Sequence, residues 1–169
     1  MATNANGKVM NETGIYKSEN GGKTWRLVYP GFNNMYNTND SVFAFSEADN
    51  GVRKIYAASQ NGDGIVMSAD MGETWLNIGM KGTDITTLKY YNGKLIAASR
   101  QNGIMLTDND GISWTEINTG LEMRSGITDV KSFDINPAEG GCWYAVNYGN
   151  IYESSNMGES WKIQFTPAK

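Results

Sequence analysis

Three aspartates occupy the same place in the sequence: Asp40 before Val42, Asp84 before Ile85 and Asp129 before Val130, each at the head of an apolar run. Two carboxyl groups held roughly 5 to 9.5 Å apart are what glycoside hydrolysis requires, one as the acid and the other as base or nucleophile. Repetition favours a plainer role. Catalysis breaks the symmetry of a repeat, whereas a residue present in several copies serves more simply as a turn residue or an anchor between copies. Composition closes other chemistries. The chain of 169 residues has no His and a single Cys, Cys142, which removes Ser-His-Asp and Cys-His catalysis, zinc sites needing several N or S ligands, and an internal disulfide. No metal and no cofactor is expected. Asp108, Asp110 and Gly111 faintly suggest a calcium loop, but Leu106 and Ile117 fall at its ligand positions. Gly22-Lys23-Thr24 resembles the end of a phosphate-binding loop, yet Lys17 stands where the upstream Gly belongs.

Lys and Arg number 14 against 18 Asp and Glu, a formal net charge of −4. With no basic stripe, nucleic acid is not an expected partner. A composition 40% hydrophobic and 19% charged with 20 Gly describes a folded, turn-rich chain, read as one domain over residues 1–169. The first residues, MATNANGKVMNETG, are polar, so no signal peptide is read there. No apolar run approaches the ~20 residues of a membrane span.

The elements that must position the aspartates announce themselves through a repeat. Four octets align without gaps: SENGGKTW from Ser18, SADMGETW from Ser68, TDNDGISW from Thr107 and SSNMGESW from Ser154. Each reads Ser/Thr, any, Asn/Asp, any, Gly, any, Thr/Ser, Trp. The tryptophans Trp25, Trp75, Trp114 and Trp161 recur at intervals of 39 to 50 residues, the length of one four-stranded sheet per repeat. At the third place Asn20, Asp70, Asn109 and Asn156 can bond the backbone two residues on. At the fifth, Gly22, Gly72, Gly111 and Gly158 supply a positive φ. The flanking hydroxyls satisfy further turn amides, and the indole offers an apolar face to a neighbouring sheet. Trp143 stands outside the pattern.

Other strands repeat around the octets. Before each lies a short run, from Gly14, Gly64, Gly103 and Asn150, read as an edge-to-turn strand. Earlier come KIYAAS from Lys54, KLIAAS from Lys94 and CWYAVN from Cys142, with small residues suited to a crowded inner strand. Earlier still are runs from Val42, Ile85 and Val130. Asn92-Gly93 between apolar runs predicts a tight hairpin. Repeats two to four therefore read strand A, B, C, octet, D. The first lacks an A strand, with Lys8-Val9-Met10 the one candidate for B.

These octets resemble the Asp-box, or BNR, repeat of sialidase-like β-propellers, over about Gly14 to Phe165. The resemblance implies an all-β fold of four-stranded antiparallel blades, about four of them with the first incomplete, at approximately 8–30, 41–79, 85–119 and 129–165. It puts the box between strands C and D at the outer rim and strand A along a central channel, so that Asp40, Asp84 and Asp129 would ring one mouth. About three and a half blades imply part of a larger ring, completed by further sequence or by a second copy. Family members are often secreted or surface-attached.

The same family includes sialidases and xyloglucan hydrolases. A sialidase needs an arginine cluster and an Arg-Ile-Pro element; this chain has Arg26, Arg53, Arg100 and Arg124 and no such element. Xyloglucanases place their acids on two facing propellers, and the chain is too short for two. Loops joining D to A and B to C would share the mouth, and there Tyr36, Tyr148, Gln101 and Arg100 suit sugar stacking or protein contact; the plainer alternative is that such aromatics cover blade ends. The expected function is a non-catalytic binding or scaffold module presenting loops to a protein or glycan partner, the alternative a fragment of a sialidase-like or xyloglucanase-like glycoside hydrolase.

Overall fold

The computed structural model describes residues 14–32, 41–47, 53–60, 62–139 and 141–167. Among these residues fourteen strands follow one another: β1 (Ile15–Lys17), β2 (Arg26–Tyr29), β3 (Ser41–Phe45), β4 (Ile55–Ser59), β5 (Ile65–Ser68), β6 (Leu76–Gly79), β7 (Ile85–Tyr91), β8 (Lys94–Ser99), β9 (Gly103–Thr107), β10 (Thr115–Glu116), β11 (Val130–Asn136), β12 (Cys142–Asn147), β13 (Asn150–Ser154) and β14 (Lys162–Phe165). A 3-10 turn, Pro137–Glu139, follows β11 on the way to β12. Among the described residues strands pair only with sequence neighbours, giving one two-stranded sheet, β1-β2, and three four-stranded sheets, β3 to β6, β7 to β10 and β11 to β14. We number these sheets, or blades, one to four.

Strands A, B, C and D of blades two to four fall where the sequence places them. The Asn92-Gly93 hairpin is present, with both residues at positive φ (48° and 76°) between paired Tyr91 and Lys94, the backbone that a two-residue turn needs to follow the strand twist. One reading is corrected. The C runs of blades two to four are interior strands, because β5, β9 and β13 each pair on both sides. In the first blade the described residues form C and D only; the B candidate Lys8-Val9-Met10 lies outside them.

The blades stack face on face, with the A strand β7 beside both β3 and β11. Strands β4 and β8 are covered on both faces, which is why they read as continuous apolar runs rather than alternating ones, whereas burial alternates along β12. In β8, Leu95 and Ala97 face blade two, where they meet Ala44, Tyr56, Ala58, Ile65 and Ile78. Ile96 and Ala98 of the same strand face blade four and meet Phe133, Trp143, Ala145, Tyr152 and Trp161. A third cluster, Ile15, Phe32, Ala57 and Val66, joins blades one and two. The alanine pairs of β4 and β8 have no exposed surface: small residues let sheets close on both sides where the rings of Tyr56 and Trp143 already fill the layer. Trp143, outside the octets, is a core residue, edge-on to Phe133 and Tyr91.

Every octet forms the same corner between its third and fourth strand. The first-place hydroxyl accepts from the fifth-place amide, at 2.8 Å from Ser18 to Gly22 and from Ser68 to Gly72, 3.0 Å from Thr107 to Gly111 and 2.9 Å from Ser154 to Gly158. The third-place oxygen accepts from the seventh-place amide, at 2.9 to 3.0 Å for Asn20, Asp70, Asn109 and Asn156. The side chain thus reaches four residues on, not the two expected of an Asx turn. In the three Asn copies the amide donates to the seventh-place hydroxyl, whereas Asp70 accepts from the Thr74 hydroxyl instead. Geometry is preserved while hydrogen-bond polarity inverts. The expected positive φ holds at Gly22, Gly72, Gly111 and Gly158, and the fourth place shares it, at Met71, Asp110 and Met157 as well as Gly21.

Corners also lock blades together. The Trp114 indole N–H donates to the Ile78 carbonyl of the preceding blade at 3.1 Å, and Trp161 to Ile117 at 2.8 Å. Trp25 and Trp75 instead turn onto their own corners, bonding the carbonyls of Gly22 and Gly72 at 3.0 and 3.2 Å. Between blades one and two the link is ionic: Glu73 lies against Lys17 and Arg26. Asp110 likewise takes Lys54 and the Tyr56 hydroxyl of blade two.

Candidate functional site

The loops from D to A and from B to C lie at one end of the blades, because each A strand begins opposite the end of its B strand: Ile85 pairs with Ser99 and Val130 with Asn147. Hydrogen bonds run across this loop face from blade to blade. Arg100 meets the Gln60 amide oxygen at 3.4 Å. Its neighbour Gln101 clasps Asp84 head to tail, donating to Oδ2 at 3.0 Å and accepting from the Asp84 backbone N–H at 2.9 Å. The Gln101 carbonyl then accepts from Thr128 at 3.3 Å, where Asn102 and Thr128 form a parallel bridge.

Asp129 follows. One of its carboxylate oxygens pairs with Lys131 at 2.6 Å, and the other is buried without a hydrogen-bond partner. Asn147, wholly buried, pins the loop above it by donating to the Asp129 carbonyl and accepting from the Glu122 amide, at 3.1 and 3.0 Å. Its two functions explain why Asn stands where β4 and β8 end in Ser.

Ahead of Asp129 the D to A loop folds back as a small hairpin. Arg124 and Ile127 exchange both backbone hydrogen bonds at 2.9 Å around Ser125 and Gly126, whose φ values are 51° and 79°. Arg124 is held by Glu122 at 2.7 Å and lies over the Tyr148 ring, 4.4 Å from its centre, while the Tyr148 hydroxyl bonds the Ile127 carbonyl at 2.9 Å. Glu122 holds the Arg124 charge firmly, raising its pKa above the ordinary arginine value. Beneath the hairpin is a groove of about 170 Å³ lined by Gln101, Asn102, Met105, Glu116, Met123, Gly126 and Thr128.

Of the residues singled out from the sequence, Asp84, Asp129, Arg100, Gln101 and Tyr148 all lie on this face. No hydrogen bond joins the two aspartates; each is engaged by its own partner. Asp40 and Tyr36 lie outside the described residues. Sequence reasoning passed over Gln60, Glu122 and Lys131 and gave Arg124 no role here. The Ser125-Gly126 dipeptide is a turn signal that could have marked the hairpin. No group of three or more potential metal ligands occurs among the described residues, and no helix among them is long and apolar enough to cross a membrane.

No family model matches the chain, and no curated protein does. Solved structures do. YCF48 from Cyanidioschyzon merolae is similar over 75% of this chain and 38% of its own, at 17% identity and TM-score 0.51. YCF48 bound to D1 peptide is similar over 76% and 45%, at 12% identity and TM-score 0.52. The GH74 xyloglucanase from Xanthomonas campestris is similar over 72% and 23%, at 15% identity and TM-score 0.50. The chain spans less than half the length of each. The likeness fixes the fold: this is an all-β protein of antiparallel β-propeller blades.

Proposed function

We propose that the chain is one run of Asp-box-type propeller blades, residues 1–169 with repeats at about 8–30, 41–79, 85–119 and 129–165, that binds a protein segment on its loop face and performs no hydrolysis. The engagement of the carboxylates carries this reading: Gln101 clasps Asp84 and Lys131 pairs with one oxygen of Asp129, so a glycosidase acid and nucleophile would first have to give up these partners. Arg100 meets a neutral amide, and a guanidinium so placed can fork onto a carboxylate or bond main-chain carbonyls. Arg124 and Tyr148 add a stacked pair beside the groove. A peptide is preferred to a glycan because a structure of similar fold is described as bound to one. The glycoside hydrolase alternative draws on the xyloglucanase likeness.

The test is calorimetric titration with a panel of acidic and neutral dodecapeptides, alongside turnover assays on xyloglucan oligosaccharides and aryl sialosides. Peptide binding weakened roughly tenfold or more by Arg100→Ala supports the proposal, as expected for loss of a charge-assisted pair. Glycoside turnover abolished by the Asp84→Asn, Asp129→Asn double variant overturns it.

A further inference from the structure

The groove beneath the hairpin around Ser125 and Gly126 has fixed walls and one charge. Its roof is set, because Arg124 and Ile127 close the hairpin through both backbone bonds, the Tyr148 hydroxyl bonds the Ile127 carbonyl, and Asn147 accepts from the Glu122 amide. Its amide side chains are engaged elsewhere, Gln101 with Asp84 at 3.0 Å and Asn102 with Thr83 at 3.2 Å. The groups left to meet an occupant are chiefly two methionines, Met105 and Met123, and a single carboxylate, Glu116. Met105 and Glu116 are directly opposed on β9 and β10, which sets thioether and carboxylate side by side on one face of blade three.

Glu116 is oriented but not neutralised. Asn118 donates to its Oε1 at 2.8 Å, and Asn118 is itself fixed by donating to the Asn102 carbonyl at 2.8 Å and accepting from the Ile104 amide at 2.7 Å. Glu122 and Asp129 have Arg124 and Lys131 as counter-ions, whereas among the described residues Glu116 is paired with an amide alone. A volume of about 170 Å³ is below the roughly 300 Å³ at which cavities hold whole small molecules, and it suits one side chain. Flexible, polarisable thioethers mould to a run of methylenes, and a carboxylate calls for a cationic head. A long basic side chain has both parts, laying its stem on apolar surface while its head stays wet. An Arg fork takes both carboxylate oxygens in line, and Oε1 is already engaged; a compact ammonium needs only one.

We infer that this groove takes a lysine side chain, its stem between Met105 and Met123 and its ammonium on Glu116, with Asn118 positioning the carboxylate. The inference rests, for the source of that lysine, on the proposal that a protein segment binds the loop face. Gln101 lines the groove and directly follows Arg100, so a segment fitted by both carries an acidic group for Arg100 and a lysine a short distance along. Glu116 is exposed, which makes its share of the binding modest and sensitive to salt.

Methyl NMR of the full chain tests the groove without a peptide. Nα-acetyl-lysine methylamide should shift the Met105 and Met123 methyls saturably, and its uncharged norleucine counterpart should bind roughly two- to fivefold more weakly. Glu116→Gln, at an exposed position, should remove that difference, and added salt should narrow it. Unmoved methyls, or a lysine preference that survives Glu116→Gln, would overturn the inference. Calorimetry with dodecapeptides that differ by one lysine completes the test: at one position the lysine should tighten binding by the same factor, and Glu116→Gln should cancel the gain. Dodecapeptides that fail to bind while the methyls respond count against the peptide proposal alone. Dodecapeptides that bind while the lysine derivative leaves the methyls unmoved count against the groove alone.

Discussion

Trp114 and Ile78 belong to different blades, yet the indole N–H of one donates to the main-chain carbonyl of the other at 3.1 Å. The same side chain that ends the octet packs beside Ile78, Ile85 and Leu88 in the interface between blades two and three. A turn signature in the sequence is therefore also a fastener between sheets.

Trp114→Phe should remove that bond and leave the Ile78 carbonyl without its partner, a loss of about 1–3 kcal/mol. Trp75→Phe gives up only a bond to its own corner and should cost less. Urea denaturation of the two variants checks the order; equal losses would mean that the bond between blades adds nothing.

The octet glycines should differ in the same direction. A methyl at Gly111 would stand 2.3 Å from the Ile78 carbonyl oxygen, whereas at Gly22 its nearest neighbour is the Trp25 ring at 3.6 Å. Both need positive φ, which costs an L residue about 1–2 kcal/mol, and Gly111→Ala adds a backbone collision. Gly22→Ala should therefore lose about 1–2 kcal/mol and Gly111→Ala distinctly more, measured as denaturation midpoints.

Asp70 titrates low, at about 2, because the Thr74 hydroxyl and amide and then the Ser68 hydroxyl all bond its charged form. A carboxylate depressed in the folded state stabilises above its unfolded pKa, near 3.9, and loses that contribution as pH falls toward about 2. Carboxyl-carbon NMR should place the Asp70 midpoint well below that of an ordinary aspartate, and Thr74→Val should move it back up. Asp70→Asn should keep the corner, since three octets already use Asn, and remove this part of the acid sensitivity.

Fold was legible where the sequence repeated itself. Octet, hairpin and strand runs recur, so four copies of one local solution separate turn chemistry from chance, and A, B, C and D followed. The third-place reach to the seventh-place amide was misjudged because the sequence names a donor-acceptor pair without the φ of the residues between. Met71, Asp110 and Met157 in the left-handed region make that longer reach, and nothing in those residue types announces it. On the loop face, position was readable and engagement was not. Asp84 and Asp129 lie at the heads of β7 and β11, but their partners Gln101 and Lys131 come from a neighbouring loop and from the next outward strand position, associations that strand order alone does not specify.

Strand order has one more consequence. Since each sheet recruits only strands adjacent in the chain, blade three is complete once β10 has been synthesised and blade four once β14 has. A chain leaving the ribosome can therefore be finished leaf by leaf, its contacts local and quickly found, with one newly made apolar surface awaiting cover at a time instead of a whole unfolded core.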